Sequence, residues 1–210
     1  TEVEIRLHQN RNLTDDYLCT QIIEKVDIGI CADIEIEAGT DAVEVMSQIQ
    51  IAIDAIISPK INFYSLSQLV KEGYHSEDIF LGPKLAHGFL KYDELEKAQL
   101  PKEIHASDII AVLMDIKGVK SVKNLLMSAY SQLGQPIANA INKSWVLELT
   151  GDVKPVFNPL KSKLLLFQKI IPFLLSENQL MLVEQKVIMY KSLFNQKKLI
   201  GASNDFEIEN

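Results

Sequence analysis

Three features of the sequence predict an α+β fold in which helices cover one face of a small sheet. Residues Ile28, Ile30, Ala32, Ile34 and Ile36 alternate with Gly29, Cys31, Asp33, Glu35 and Glu37, the period of a half-buried strand. Two apolar stripes at helical spacing follow, Val45, Ile49, Ala52, Ile53 and Ile56, then Ile109, Val112, Leu113 and Ile116. Beyond Gly134-Gln135-Pro136, short apolar runs separated by turns replace the longer periods. The predicted order is strand, helix, helix, helix, strand, then a short β subregion and a C-terminal amphipathic helix.

Taken in chain order, Val3 to Leu7 alternates briefly and Asn10-Arg11-Asn12 turns. Thr14-Asp15-Asp16 then reads as an N-cap with an acidic first turn, for a helix from Asp15 to about Lys25. The Ile28–Glu37 strand is followed by Gly39-Thr40, which turns the chain and caps a helix from Asp41 to about Ile57, ended by Pro59. Ser65 caps a shorter helix with Leu66, Leu69 and Val70 inward and Gly73 as its stop. A turn-rich loop runs from Gly73 to Leu90, and Tyr92 to Ala98 forms one or two helical turns. Ser107-Asp108 opens a helix to Lys117, and Gly118, joining it to a strand of Val119 to Tyr130, requires a positive φ. Short strands are expected at Trp145–Leu149, Val153–Val156 and Lys163–Phe167. Leu164-Leu165-Leu166-Phe167 and Ile170 to Leu175 read as buried strands, because Lys161 and Lys163 flank this peak, Lys169 splits it and Pro172 suits no helix interior. Leu180, Val183, Val187, Tyr190 and Phe194 then form a helical stripe between Glu177 and about Leu199, before an acidic tail. The expected organisation is an arm at 1–27, a core at 28–130, a β subregion at 131–176, and a helix with its tail at 177–210.

Composition narrows the function classes. The 210 residues carry a net charge of −7 and are 47% apolar, which suits a globular core and argues against a surface built to meet phosphates. Two cysteines, Cys19 and Cys31, make no disulfide framework, and no signal peptide or long uncharged apolar run is present, so cytoplasmic synthesis without membrane insertion is expected. The histidines His8, His75, His87 and His105 lack the spacing that puts two imidazoles on one helix face for zinc. Asp33, Glu35 and Glu37 share one side of a strand and would serve acid/base work or a cation only inside a cleft. Neither a phosphate-cradling glycine loop nor a nucleophile elbow occurs, so no catalytic residue, metal ligand or cofactor is predicted.

One arrangement of turns and core positions points further. Ile79-Phe80-Leu81-Gly82-Pro83, Leu85, His87-Gly88-Phe89, Ser107-Asp108-Ile109-Ile110 and Ile116-Lys117-Gly118-Val119 with Val122 and Asn124 resemble the baseplate J-like family, the wedge proteins of phage tails and contractile injection systems. Arg11-Asn12-Leu13, Ile28-Gly29-Ile30, Ile34-Glu35-Ile36 and Ser58 to Leu66 resemble its extracellular contractile injection versions, so the likeness covers roughly 10–175. The resemblance implies a non-enzymatic subunit of a large ring, built around a central hub, that rearranges when the sheath contracts. Its implied partners are other wedge subunits, J-like copies among them, and sheath or hub proteins. Phe80, His87 and Phe89 in the loop, and Val187, Tyr190 and Phe194 on the last helix, are the expected interface residues. A second reading, a small α/β ligand-binding or hydrolytic domain using the Asp33, Glu35 and Glu37 face, requires an apolar pocket holding those side chains.

Overall fold

The longest strand, β1 (Glu24–Ile36), organises the sheet. A computed structural model describes residues 2–9, 23–58, 62–80, 88–97 and 100–203. On one side of β1 lies β3 (Val119–Tyr130), antiparallel, with Ile30 opposite Met127 and Ile34 opposite Val122. Its other side is shared by two strands that both run parallel to it, β5 (Val153–Phe157) along the first half and β6 (Lys163–Gln168) along the second. The strands expected after residue 131 therefore do not form a sheet of their own. β7 (Ile171–Phe173) returns antiparallel to β6 as the outermost strand, and β2 (Glu103–His105) pairs with β4 (Val146–Glu148) in a separate two-stranded ribbon.

A 3-10 turn, Pro159–Lys161, carries the chain from β5 to β6, and it explains the glycine in β1. A Cβ on Gly29 would run into the Lys161 backbone carbonyl, so only glycine lets the turn lie against the strand. The turn is held there by the Asn158 N–H, which donates to the Ile28 carbonyl at 3.0 Å, and by the Ile30 N–H, which donates to the Ser162 hydroxyl at 3.0 Å.

The alternation of β1 divides the sheet as its sequence predicts. Ile28, Ile30, Ala32, Ile34 and Ile36 are buried beneath α2 (Ala42–Ile57) and α6 (Ala106–Met114), where Ile49, Ile53 and Leu113 meet them. The Asp41 side chain accepts from the Val43 N–H and starts α2, the role the sequence reading gave to Thr40. Opposite Ala32 the register of β1 and β3 shifts, and there Asn124 adopts a positive φ of 52°, a conformation asparagine tolerates, while its amide donates to Asp33 at 2.7 Å.

The last helix, α7 (Glu177–Ser203), lies on α2. Its start is a capping box: the Ser176 N–H donates to Gln179, whose own N–H donates back to the Ser176 hydroxyl. Val183 is buried in the main core and Val187 packs against it. Lys191 pairs with Asp54 at 3.1 Å, and Lys186 with Glu44.

Several expectations are corrected. Residues Glu2–Gln9 form a helix, α1, where a short alternation suggested a strand, and Arg6 pairs with Glu2 one turn back at 2.8 Å. Glu24 and Lys25 belong to β1 rather than to the end of a helix, and the rest of that expected helix lies outside the described residues. In α3 (Leu66–Lys71), capped by Ser65 and Gln68 as a box, Leu69 is buried but Val70 faces outward. The loop expected at Gly73–Leu90 contains α4 (Ser76–Phe80), and part of it lies outside the described residues; α5 (Tyr92–Lys97) falls where one or two helical turns were expected. Ser107 does not cap α6: β2 runs straight into that helix, and the Ala106 N–H is satisfied by the Trp145 carbonyl at 2.9 Å. Ile170, Ile171 and Leu174 are exposed, not buried, because β7 is an edge strand from which Phe173 and Leu175 alone reach the core.

Candidate protein-protein interface

Residues between α2 and β2 build an aromatic platform. Tyr64 and Phe89 exchange backbone hydrogen bonds, each 2.8 Å, which brings the two ends of this segment together. Around them, the Lys91 ammonium reaches Glu72 at 2.6 Å and stands 4.2 Å from the Tyr64 ring centre and 5.5 Å from that of Tyr74. The Tyr64 hydroxyl donates to Glu94, and the Asn62 amide donates to the same carboxylate at 3.3 Å. Burial pushes the Tyr64 phenol up, and its bond to Glu94 pushes the same way. The hydrogen bond to Glu72 raises Lys91 from its ordinary value.

On this base the Phe80 and Phe89 rings meet edge to face, 5.3 Å between centres and at 89°. The sequence names both residues, and the structure joins them across the loop, but Phe80 is 59% exposed. Its truncation therefore costs less than the loss of a core ring: Phe80→Ala is expected to lower stability by about 1 kcal/mol, the worth of the aromatic pair, when measured by chemical denaturation. His87, Leu81, Gly82, Pro83, Leu85 and Cys19 lie outside the described residues.

On α7 the predicted stripe divides. Val183 and Val187 are spent on the body, whereas Leu180 and Tyr190 are exposed; the Phe194 side chain is outside the described part. Outside that stripe the same helix carries four further apolar residues, Met181, Leu182, Ile188 and Met189, all exposed.

The carboxylates of the open sheet face are engaged by neighbours. Asp33 accepts from Asn124, and Glu35 accepts from Ser121 at 3.2 Å with the Lys123 ammonium 3.7 Å away. A cleft of about 440 Å³ opens near the other end of β1, between Val26, Ala129, Ile137 and Leu149, and none of Asp33, Glu35 and Glu37 lines it. Among the described residues, no group of three or more His, Cys, Asp or Glu is placed to hold a metal ion, and no helix is long and apolar enough to cross a membrane. The described histidines sit apart in the chain, His8 in α1, His75 before α4 and His105 at the end of β2.

Near the start of β1, Asp27 ties three segments together. It accepts from Asn158 at 2.9 Å and from Lys161 at 3.0 Å, and Lys161 stands 4.8 Å from the Tyr130 ring centre. Burial pushes the Asp27 carboxyl up, but the Asn158 amide and the Lys161 ammonium outweigh it and hold it below its ordinary 3.8. A carboxyl depressed by folding contributes stability above its unfolded value and loses it as pH falls through the folded one. The stability gap between wild type and Asp27→Asn, read from urea titrations, should be constant at neutral pH and shrink as pH drops below 3.8. A gap that stays constant into acid would contradict this.

Comparison with known proteins follows the same geometry. The profile of a family described as "Baseplate wedge Pvc12-like domain 3" matches residues 24–157, from the start of β1 to the end of β5. Among solved structures, a chain of the "Cryo-EM structure of the anti-feeding prophage (AFP) baseplate, 6-fold symmetrised" is similar, with a TM-score of 0.55 and 18% identity over 85% of this chain and 34% of that one. That likeness is one of fold, and this chain spans about a third of the length of the baseplate chain it matches, 34%. No curated protein matches the sequence.

Proposed function

The chain belongs to the family of Pvc12-like baseplate wedge domain 3, and from that premise we propose that it serves as a structural wedge domain in the baseplate of a contractile injection system or phage tail-like particle. It is synthesised in the cytoplasm and works by contact rather than by catalysis, holding its place around the central hub and passing baseplate rearrangement to the sheath. The family match over 24–157 carries this reading, since it takes in the central strand and both helices that cover it. The fold shared with a baseplate chain agrees with it. Its partners are other wedge subunits, J-like copies among them, with sheath or hub proteins beyond.

The contact surfaces are the aromatic platform, with Phe80 and Phe89, and the exposed Tyr190 of α7; His87 and Phe194 join them on the sequence resemblance alone. Val187 contributes indirectly, by seating α7 on the body. Exposed aromatic rings on a base fixed by hydrogen bonds and a buried cap suit docking, because little side-chain freedom is lost on contact. Phe80→Glu and Tyr190→Glu, combined, are expected to lower the melting temperature by only about 2–4 °C, the loss of the Phe80–Phe89 ring pair, since both side chains are largely exposed, and to abolish co-purification with the neighbouring wedge proteins. Unchanged co-purification of a folded double variant would remove these residues from the interface.

A further inference from the structure

The 27-residue α7 has two apolar faces on opposite sides, and only one of them meets the body. Val183 and Val187 point inward. On the far side Met181 and Ile188 are seven residues apart, as are Leu182 and Met189, so the four flank Gln185 on one outward face about two turns long. They are 49% to 66% exposed. An apolar stripe of this kind on an already seated helix matches the way one amphipathic helix receives another.

Charge selects the occupant. The two described lysines of α7, Lys186 and Lys191, turn toward α2 and are held by Glu44 and Asp54. The two described glutamates, Glu177 and Glu184, are exposed and sit three or four residues from Met181 and Ile188, along one edge of the outward stripe. Among the described residues, the body thus takes the cations of the helix and leaves a mainly apolar strip with an acidic border. A second copy of this chain would bring the same acidic border and the same net charge of −7 to the contact.

We propose that the outward face of α7, Met181, Leu182, Ile188 and Met189 bordered by Glu177 and Glu184, is a docking site for a basic amphipathic helix of another subunit. This rests on the reading of the chain as an assembly component and adds which side of α7 is used and the chemistry of what it meets. Methionine and leucine suit such a site, since flexible side chains repack against an incoming ridge.

The test uses the whole chain with two synthetic helical peptides that carry the same leucine stripe, one flanked by lysines and the other by glutamates, and reads binding by fluorescence anisotropy at low salt. The lysine peptide should bind more tightly, by about fivefold to tenfold for two bordering ion pairs. Glu177→Lys with Glu184→Lys should reverse that preference. Met181→Gln with Ile188→Gln, whose side chains are exposed and leave the melting temperature unchanged, should weaken both peptides. Equal binding of the two peptides, binding by neither, or self-association of the chain lost in Met189→Lys would each overturn the proposal. Co-purification with baseplate proteins separates the two claims: failure of the peptide assay in a chain that still assembles removes this docking site alone, and a chain that never assembles removes the wedge reading itself.

Discussion

Ile30→Ala is expected to destabilise the protein by about 4 kcal/mol, the upper part of the range for removing a buried isoleucine. Ile30 has 0% exposure, lies opposite Met127 on the neighbouring strand, and faces the helices that cover β1. The central strand is paired on both sides, to β3 and to β5 and β6, so the backbone around the deleted atoms is pinned and the cavity cannot close by collapse. Since a domain is stable by only about 5–15 kcal/mol, the variant should lose a large part of its margin. Ile171→Ala is the internal control: the same side chain at an exposed edge position should change stability by less than about 0.5 kcal/mol. Urea denaturation of both variants measures the difference, and equal losses would contradict the placement of the core.

Gly118→Val should cost about 3 kcal/mol, and Gly118→Ala roughly half of that. Gly118 has a φ of +95°, outside what an L side chain adopts without strain, and a Cβ there would stand 2.6 Å from the Thr40 methyl carbon. The residue cannot swing away, because its carbonyl accepts from the Glu37 N–H at 2.8 Å and β3 begins at the next position. Alanine already brings the φ penalty and the Cβ that meets the Thr40 side chain, and valine adds two methyl groups to the same crowded junction. Thermal and urea unfolding of the two variants give the order, and a valine variant as stable as the alanine one would show that the junction yields.

The positive φ at Gly118 was legible because an apolar helical stripe ended within three residues of an extended run, leaving glycine as the residue able to reverse the chain. The alternation of β1 was legible for a related reason: it keeps one face under helices, so burial writes a period into the sequence. The parallel pairing of β5 and β6 with β1 was not, since pairing over more than 120 positions leaves no local pattern. Gly29 held the available clue, a glycine inside an otherwise regular strand, which marks the close approach of another backbone. The edge position of β7 was likewise hidden: its apolar residues look like core, and only the topology leaves them outside. The two-residue turn Lys169-Ile170 makes Gln168 and Ile171 a hydrogen-bonded pair, so Pro172 turns its nitrogen to the open edge, where the missing N–H discourages a further strand.

At the candidate interface, residue types were readable and their company was not. Phe80 and Phe89 stood out in sequence as bulky residues around turns, but the platform of Tyr64, Lys91, Glu72 and Glu94 that carries them draws on segments up to 32 residues apart. The C-terminal stripe was read as an interface with another subunit; Val183 and Val187 instead pack on the body. The opposite face of α7 escaped notice because a helix apolar on two sides has no single direction to detect.

Cryo-electron microscopy of particles purified from cells making the chain with a small C-terminal tag tests the central claim most directly. The account predicts density for the sheet and its covering helices in the baseplate ring, repeated around the central hub, with the Phe80 and Phe89 platform or the outer face of α7 against a neighbouring subunit. Particles with complete baseplates and no density for this chain, together with the tagged chain recovered as a free monomer, would contradict it.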